Sequence, residues 1–329
     1  MPDPAVERSD IAFAALRVGA GTAGRRIQKP EWSHGNGAEP CRYAGRMRRL
    51  SSSSAVLSLA ACAVLAAVSG CAAGAAEGKP EQTTRAASAS AFPEGAHFDY
   101  QLGGAYDPPS DVELVVRDRT ATPADGAYSV CYVNAFQTQP GDEELWPHDV
   151  LLTVDGSLVN DPDWPDEMIL DTSTEPKRQA IADVLVPWIE GCAKAGFAAV
   201  EFDNLDSFSR SHDALTIDDN LELAADLAAV AHGAGLMVGQ KNSAEHTARL
   251  KDEAGFDFAV AEECAAYEEC PEYTEVYGDA IIDIEYTDTL PRSFAEMCAD
   301  PDSPHAMILR DRDLVTPDAK GYVLERCPN

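Results

Sequence analysis

Two carboxylates lie one residue apart inside the apolar stretch AVEFDNLDSF, which spans residues 199–208. In a β-strand successive side chains point to opposite faces, so Glu201 and Asp203 would share one face while Val200 and Phe202 share the other. Burying two acids costs several kcal/mol unless they are paired, hydrogen-bonded or used in chemistry. Cleavage of a glycosidic bond needs such a pair, with one carboxyl as proton donor and the other as nucleophile or base.

Other apolar stretches end in similar side chains. In AIIDIEY, residues 280–286, strand alternation predicts that Asp283 and Glu285 face inward and that the isoleucines between them face outward. Acids, amides and aromatic rings gathered at strand ends suit the hydroxyls and ring faces of sugars. Besides Glu201 and Asp203, the polar and aromatic candidates for such a site are Tyr100, Gln101, Tyr132, Asn204, Asp206, Lys241, Asn242, Glu263 and Glu285.

Metal chemistry is the alternative use of such a site. Zinc would need a CxxC motif or histidines at ligand spacing, and neither occurs in the sequence. Oxygen ligands could hold Mg²⁺ or Ca²⁺, but DNLDSF, residues 203–208, lacks the length and the glycine of a calcium loop. We therefore expect no metal and no cofactor.

Short apolar strand candidates alternate with helical patterns, which argues for a parallel sheet. The alternation predicts an α/β fold, a single-domain (β/α)8 TIM barrel, with one candidate in the first half left over as an edge or cap strand. A doubly wound sheet is disfavoured because no glycine-rich phosphate loop follows the first strand. The strand candidates are residues 98–102, 112–116, 128–134, 168–171, 198–203, 236–240, 258–262, 280–286 and 306–311, and the helical patterns are 176–195, 218–234, 244–254 and 291–299.

The N-terminal part of the chain has the features of an exported lipoprotein leader. Residues 47–71 have a basic start, an apolar middle that is short for a membrane span, and a bacterial lipobox ending at Cys71. An ordinary cleaved signal, with Cys71 incidental, is the alternative. We predict an upstream extension from a mis-assigned start at 1–46, a lipoprotein signal peptide at 47–70, lipidation of Cys71, a flexible tether at 71–91 and a glycosidase-like domain at 92–329. The chain would then be a cell-surface lipoprotein, or a secreted protein if it is not lipidated.

Export also changes how the cysteines are interpreted. Six remain after the leader and Cys71 are set aside, and an even number in an oxidising compartment predicts disulfides. Cys264 and Cys270 enclose only a short loop, so we expect that pair. A bridge between Cys298 and Cys327 would tie down the C-terminus.

The charge of the chain is distributed unevenly. Residues 71–329 hold 16 Lys and Arg against 51 Asp and Glu, whereas residues 1–70 hold 9 against 5. Such an acidic domain repels phosphates, which excludes nucleic acid as a partner. We expect a monomer that meets a membrane only through its lipid anchor.

The ordered set FDYQL, CYVNAF, VEFDNLDSF, VGQKN, AEECAAYEEC and IEY resembles glycoside hydrolase family 114, the endo-α-1,4-polygalactosaminidase barrels. The resemblance covers roughly residues 95–327. It implies a TIM barrel in which Asp203 and Glu262 are the catalytic pair, and we assign Asp203 as nucleophile and Glu262 as acid/base. It also implies that the sugar subsites are shaped by Tyr100, Gln101, Tyr132, Glu201, Asn204, Asp206, Lys241, Asn242 and Glu285.

Two positions depart from the family pattern. Where the family has Glu-Pro-Asp-Asn this chain has EFDN, residues 201–204, and where it has Asn-Glu-Gln-Cys this chain has AEEC, residues 261–264. Strand parity places Glu262 on the same face as the apolar Phe258 and Val260, so Glu263 stays an alternative to Glu262. The loss of the asparagine at Ala261 removes one potential hydrogen bond to the substrate or to the glutamate.

Three functions fit these observations. The leading one is a surface-tethered glycoside hydrolase that cleaves an amino-sugar exopolysaccharide of the α-1,4-polygalactosamine type by a retaining, two-carboxylate mechanism. The others are a non-catalytic carbohydrate-binding lipoprotein and a glycosidase of the same fold that acts on another polysaccharide. A partly deacetylated, cationic polymer would be attracted to the acidic domain, although acidity that serves only solubility explains the charge equally well.

Overall fold

The computed structural model describes residues 91–328, and the statements below concern this part of the chain. Residues 1–90, with the predicted upstream extension, signal peptide, Cys71 and nearly all of the tether, lie outside the described residues. The strands are β1 (Phe98–Gln101), β2 (Leu114–Asp118), β3 (Tyr128–Asn134), β4 (Thr153–Val154), β5 (Ser157–Leu158), β6 (Ala199–Asp203), β7 (Met237–Lys241), β8 (Phe258–Glu262), β9 (Ile281–Tyr286), β10 (Met307–Arg310) and β11 (Leu324–Arg326).

Eight parallel strands form one curled sheet. Their order is β1, β2, β3, β6, β7, β8, β9 and β10, so each strand pairs with the next one of the set along the chain. This is the strand order of a (β/α)8 barrel, and it confirms the predicted fold class. The predicted strand 168–171 is the surplus candidate, because its residues make only isolated bridges to Gln137, Leu151 and Asn160.

The helices lie between later strands of the barrel. They are α1 (Glu175–Ala195), α2 (Ile217–Gly233), α3 (Thr247–Ala254), α4 (Cys264–Tyr267), α5 (Cys270–Tyr277) and α6 (Phe294–Cys298). Within the described residues, the connections from β1 to β2 and from β2 to β3 contain no helix. The short helices α4 and α5 were not predicted; α4 lies in the stretch interpreted as a disulfide loop, and α5 begins where that loop ends.

Local sequence signals fix the ends of the two long helices. Helix α1 starts with proline in its first turn and ends at Gly196, whose φ of 101° suits the left-handed end of a helix. Helix α2 starts with a capping box in which Thr216 and Asp219 bond each other's backbone N–H groups. The cap at Gly196 sets where the chain enters β6, and the capping box sets where α2 begins, the helix that leads into β7.

Aromatic rings pack at the N-terminal ends of the strands. Phe258, the first residue of β8, stacks on Phe92 with 4.4 Å between ring centroids, and Phe92 also meets Tyr128 at the start of β3. Gly239 on β7 makes room for this packing, since a Cβ there would lie 2.5 Å from the Phe258 ring. Phe258 therefore points into the barrel, where the alanines of β8 would be too small to fill the space.

A side chain bridges the last and first parallel strands. In the described residues β10 pairs with β9 and with the antiparallel β11, and no ladder joins β10 to β1. The fully buried Arg310 of β10 donates to the backbone oxygen of Tyr100 and, at 3.2 Å, to the carboxylate of Asp99. Nearby, Gly103 approaches Leu314 so closely that a Cβ would lie 2.4 Å from the Leu314 carbonyl oxygen.

Three disulfides link the barrel elements. Cys264–Cys270 and Cys298–Cys327 are both present, as predicted. A third bridge, Cys131–Cys192, joins β3 to α1. None of the helices in residues 91–328 is long and apolar enough to cross a membrane.

Candidate active site

The strand register brings five chemically active side chains to one face of the sheet. Cross-strand partners place their side chains on the same side, and Tyr132 lies opposite Glu201, which lies opposite Gly239. On the neighbouring strands Lys241 lies opposite Val260, two residues before Glu262. Asp203, Lys241 and Glu262 end β6, β7 and β8, and Tyr132 and Glu201 lie two residues before the ends of β3 and β6. The inner face at the C-terminal ends of the strands therefore carries these five side chains, as in TIM barrel enzymes.

Lys241 is the centre of this arrangement. Its Nζ lies 3.2 Å from Glu262, 3.4 Å from Asp203 and 3.7 Å from Glu201, and only 3% of its side chain is exposed. Burial alone would lower the pKa of Lys241, but the three carboxylates outweigh burial and hold that pKa well above its ordinary value. One ammonium group thus contacts all three acids.

Asp203 and Glu262 each have a tyrosine as hydrogen-bond donor. The Tyr132 hydroxyl donates to Asp203 at 2.6 Å, and the Tyr286 hydroxyl donates to Glu262. Asn242 also donates to Glu262, at 3.0 Å. Burial would raise the pKa of Glu262, but Lys241 and these hydrogen bonds lower it below its ordinary value. Glu262 is therefore ionised in the free enzyme.

Glu201 lies deeper in the barrel and is fully buried. It accepts a hydrogen bond of 2.8 Å from the buried Tyr100 hydroxyl. Burial raises the pKa of Glu201 to about 8, with Lys241 opposing and Asp203 adding to the shift. Glu201 is therefore mostly protonated at neutral pH, and neither it nor Tyr100 is part of the cavity wall. Both support Asp203 and Lys241 from below.

Each of the three central strands ends in a left-handed turn. The residue directly after Asp203, Lys241 and Glu262 has a positive φ, with 65° at Asn204, 48° at Asn242 and 61° at Glu263. Asparagine tolerates this conformation better than other residues that carry a Cβ, whereas glutamate tolerates it poorly. The turn at Glu263 ends the strand alternation there.

The contacts of Glu263 separate it from the cavity. It pairs with Arg312 at 3.0 Å and accepts a hydrogen bond from Thr289. Arg312 in turn lies 4.1 Å from the centre of the Tyr286 ring, whose hydroxyl holds Glu262. Glu262 lines the cavity and Glu263 does not. The motif placed the cavity glutamate better than parity did, because the inner face of β8 is its apolar face.

Two other predicted sugar ligands are reassigned as supporting residues. Gln101 is buried on the opposite face from Tyr100, where it donates to Asp99 at 2.9 Å and accepts from Arg117 at 2.9 Å. Glu285 accepts hydrogen bonds from the backbone N–H groups of Ala265 and Ala266 at the start of α4. Neither residue lines the cavity.

The inward orientation predicted for Asp283 and Glu285 is wrong. In the register Glu262 lies opposite Ile284, so Ile284 shares the inner face with Glu262, and the two acids of β9 face outward. They lie beneath α4, where Asp283 accepts from the Cys264 N–H at 3.2 Å. The polar start of a short helix covers β9 here instead of an apolar helix face, and this reverses the usual pattern.

Asp283 and Glu285 are buried carboxyls two residues apart on the outer face of β9, and within the described residues Oδ2 of Asp283 and Oε2 of Glu285 accept no hydrogen bond. A proton on one of the two acids would allow this buried pair to share it. Burial, and then the charge of Glu285, raise the pKa of Asp283 well above its ordinary value, and burial also raises the pKa of Glu285. The folded state therefore holds a proton that the unfolded chain releases. The stability that this proton gives the folded state is complete below the ordinary carboxyl pKa of about 4. It is lost as the pH rises through the pKa of the acid pair in the folded state.

We expect Asp283→Asn to remove this pH dependence. The amide supplies a permanent donor to Glu285 while its oxygen still accepts from Cys264, so the variant should gain about 1 kcal/mol or more over the parent between pH 6 and pH 9. Thermal unfolding across this range measures the difference. Glu190→Gln, which neutralises an exposed acid of α1, is the matched control. A stability gap between Asp283→Asn and the parent that stays constant with pH would contradict the shared proton.

The inner face opens into a cavity of about 430 Å³. Of the predicted residues Tyr132, Asp203, Asn204, Asp206, Lys241, Asn242 and Glu262 line it. The sequence reasoning missed Trp164 and Glu167, which lie in a loop without any strand or helix pattern, and it missed Arg210 and Arg312. Trp164 is 56% exposed, and an exposed tryptophan in a run of acids was the one available signal.

The site can supply general acid, general base or nucleophilic catalysis by carboxylates. The nearest oxygens of Asp203 and Glu262 both contact the same Nζ, so their separation cannot exceed the sum of the 3.4 Å and 3.2 Å contacts. Within residues 91–328, the set Cys264, Cys270 and Asp283 has metal-ligand spacing, but its two cysteines are bonded to each other. That set therefore lacks free thiolates for a metal.

Comparisons with known proteins concern the fold and the family of the chain. No curated protein matches the chain. Among solved structures, the chain is similar to Aspergillus fumigatus Ega3 in complex with galactosamine, with a TM-score of 0.59, 20% identity, and coverage of 73% of this chain and 98% of that one. It is also similar to the glycoside hydrolase domain of PelA from Pseudomonas aeruginosa, with a TM-score of 0.48, 15% identity, and coverage of 70% and 98%. The family model of glycoside hydrolase family GH114 matches residues 79–329, and the chain belongs to this family of glycoside hydrolases.

Proposed function

We propose that this glycoside hydrolase cleaves an amino-sugar exopolysaccharide of the α-1,4-polygalactosamine type, with Asp203 and Glu262 as its catalytic carboxylates. The observation that carries the proposal is the placement of both acids around Lys241 on the inner rim of a GH114 barrel. Both acids line the cavity, and both are held by a tyrosine hydroxyl.

We favour a retaining mechanism with Asp203 as nucleophile. Retaining enzymes separate their carboxyls by about 5–5.5 Å and inverting enzymes by about 6.5–9.5 Å. The shared contact with Lys241 limits the distance between the contacting oxygens of Asp203 and Glu262 to a value that reaches only the lower end of the inverting range. Because Glu262 is ionised in the free enzyme, its action as general acid requires that it take up a proton from solvent before the glycosidic bond is cleaved.

Galactosamine polymer is favoured as the substrate by the charge of the cavity. Seven of its lining residues are acids, against Arg210, Lys241 and Arg312 as cations, and those cations are already paired with carboxylates. A deacetylated amino-sugar polymer carries the opposite charge and would be attracted at low ionic strength. The galactosamine bound to Ega3 is consistent with this choice.

The test is product analysis. Partly deacetylated polygalactosamine, incubated with the protein, should yield shorter oligosaccharides by mass spectrometry, and added salt should slow the reaction. Cellulose, chitosan and α-1,4-galacturonan in parallel incubations separate this substrate from other polymers. Cleavage of another polymer in the panel, with polygalactosamine left intact, would overturn the substrate assignment.

A carbohydrate-binding protein without catalysis is less well supported. Its sequence basis was the replacement of two family residues by Phe202 and Ala261. Phe202 packs beside Phe256 on the outer face of β6, and Ala261 lies opposite the outward-facing Asp283. Neither replacement removes a group from the cavity, so both carboxylates keep their surroundings.

We further propose that the protein acts while tethered to the cell surface through Cys71. The support is the lipobox and the small-residue segment that follows it in the sequence. A clickable fatty-acid analogue should label the full chain expressed in bacteria, and Cys71→Ala should abolish the label. Equal labelling of both proteins would exclude this anchor.

A further inference from the structure

Glu167 is a cavity carboxyl that the proposed reaction does not use. It lines the same cavity as Asp203 and Glu262, and its Oε2 accepts a hydrogen bond of 3.0 Å from Asn134. Within the described residues its Oε1 accepts no hydrogen bond. Asn134 in turn accepts from Asn204, the residue after Asp203. Hydrogen bonds through Asn134 therefore connect Glu167 to the residue next to the proposed nucleophile.

The segment that carries Glu167 is fixed in place. We call residues 160–168 the rim segment. Its Asp161 is buried, accepts from the backbone of Asp163 and Trp164, and is held from outside by Gln137 at 2.8 Å and Arg210 at 2.7 Å. The Glu167 N–H donates to the Trp164 carbonyl oxygen, and the Asp161 N–H donates to the Glu167 carbonyl oxygen. The backbone of this turn is therefore preorganised before any ligand binds.

Glu167 differs from the other acids of the cavity in its partners. The cations of the cavity are already engaged, because Lys241 contacts three carboxylates, Arg210 pairs with Asp161 and Asp206, and Arg312 pairs with Glu263. Glu167 forms no ion pair in the described residues. Within residues 91–328 the cavity acids Asp163 and Asp313 also form no ion pair but are exposed, whereas Glu167 is partly buried, which strengthens its interaction with any cation that enters.

Trp164 lies next to Glu167 on the cavity wall and exposes its indole. An exposed indole face can stack on a pyranose ring and also attracts cations. A ring platform beside a carboxylate without a counterion suits a sugar that carries a positive substituent. Neutral sugars would use the indole face but gain less from the carboxylate.

We infer that Glu167, beside Trp164 on the rim segment, recognises the ammonium group of an amino sugar and sets the preference for deacetylated over N-acetylated residues of the polymer. This inference rests on the proposed function and deepens it. Glu167 is a specificity residue here, and the glycosidic bond is cleaved by Asp203 and Glu262.

The protonation state of Glu167 provides a measurable signature of amino-sugar binding. Burial raises the pKa of Glu167 to about 7, with Asp203 and Asp161 adding to the shift while Asn134 and Arg210 oppose it. At neutral pH the carboxyl is about half protonated, and a bound ammonium favours its ionised form. Binding of an amino sugar should therefore release protons, and binding of an N-acetyl sugar should not.

Isothermal titration calorimetry on the full chain tests this. Glu262→Gln is the background, because it blocks turnover but keeps the charge of Asp203 beside Glu167. At pH 7, in buffers of different ionisation enthalpy, the binding of one galactosamine oligomer should release about half a proton from the protein. Galactosamine oligomers should also bind at least about tenfold more tightly than N-acetylgalactosamine oligomers. Adding Glu167→Gln should abolish both effects, whereas Glu190→Gln should change neither.

Glu167→Asp, which keeps the charge, should preserve part of the preference. An unchanged preference in Glu167→Gln would overturn the inference, as would proton release that persists in that variant. If the protein binds amino-sugar oligomers with this signature but the parent enzyme hydrolyses no polygalactosamine, the proposed function fails and the specificity inference stands.

Discussion

Asp203→Asn is expected to lose hydrolysis by about 10³-fold or more. The amide keeps the shape of the side chain and its bond to Tyr132, but it cannot act as a nucleophile or base. Glu262→Gln should lose a similar factor, since the amide neither gives nor takes a proton. Initial rates on polygalactosamine, with the Glu190→Gln control at full activity, measure both. Full activity in either variant would exclude that residue from the catalytic pair.

Azide rescue separates the roles of the two acids. If Asp203 is the nucleophile, azide should attack the substrate directly in Asp203→Ala and give a glycosyl azide of inverted configuration. In Glu262→Ala azide should instead attack the covalent intermediate and give the retained configuration. The anomer formed, read by nuclear magnetic resonance, decides the assignment, and a reversed pair of outcomes would exchange the two roles.

Lys241→Met is expected to have the second large effect. It removes the cation that pairs with Asp203 and Glu262 and contacts the buried Glu201, so the folded protein should lose about 3 kcal/mol or more at neutral pH and most of its activity. Without Lys241 the pKa of Glu262 should rise above its ordinary value, so that folding takes up protons. The deficit is then small at low pH and grows as the pH rises. Thermal unfolding at pH 5 and pH 8 measures it.

A second substitution tests the cause of that loss. Adding Glu201→Gln to Lys241→Met removes one of the buried acids and should recover part of the stability at pH 8. Lys194→Met, on the exposed end of α1, is the control for the loss of a lysine. Equal deficits for Lys241→Met at pH 5 and pH 8 would show that packing, rather than charge, explains its effect.

The barrel itself was predictable from the sequence because strand and helix patterns alternate with clear boundaries. The strand candidate at 168–171 looked equivalent to the others, since isolated bridges leave the same apolar signature as a ladder. The helix-free connections around β2 agree with the sequence, in which the first helical pattern begins at residue 176, and they show that a barrel strand can be covered by irregular chain. The role of Arg310 depends on a contact between the two ends of the chain, which no local pattern records.

The site was predictable where one strand face is apolar and faces outward. This held for Glu201 and Asp203, and it failed for β8 and β9, where the inner face is apolar and the outer face meets small or polar groups. Parity assigns residues to two faces but does not say which face is inner. The position of Glu262 therefore came from the family motif, and Glu167 could not be found because its loop has neither a pattern nor a motif.

The left-handed residues at 204, 242 and 263 have an evolutionary consequence. Each separates a fixed carboxylate or lysine from the loop that follows, because the chain changes direction immediately after the functional side chain. Insertions or deletions in those loops should then leave the catalytic geometry unchanged while they alter the outer walls of the cavity. Relatives of this enzyme would be free to diversify in polymer preference by changing loop length alone, and grafting such loops between family members is a practical route to new specificities.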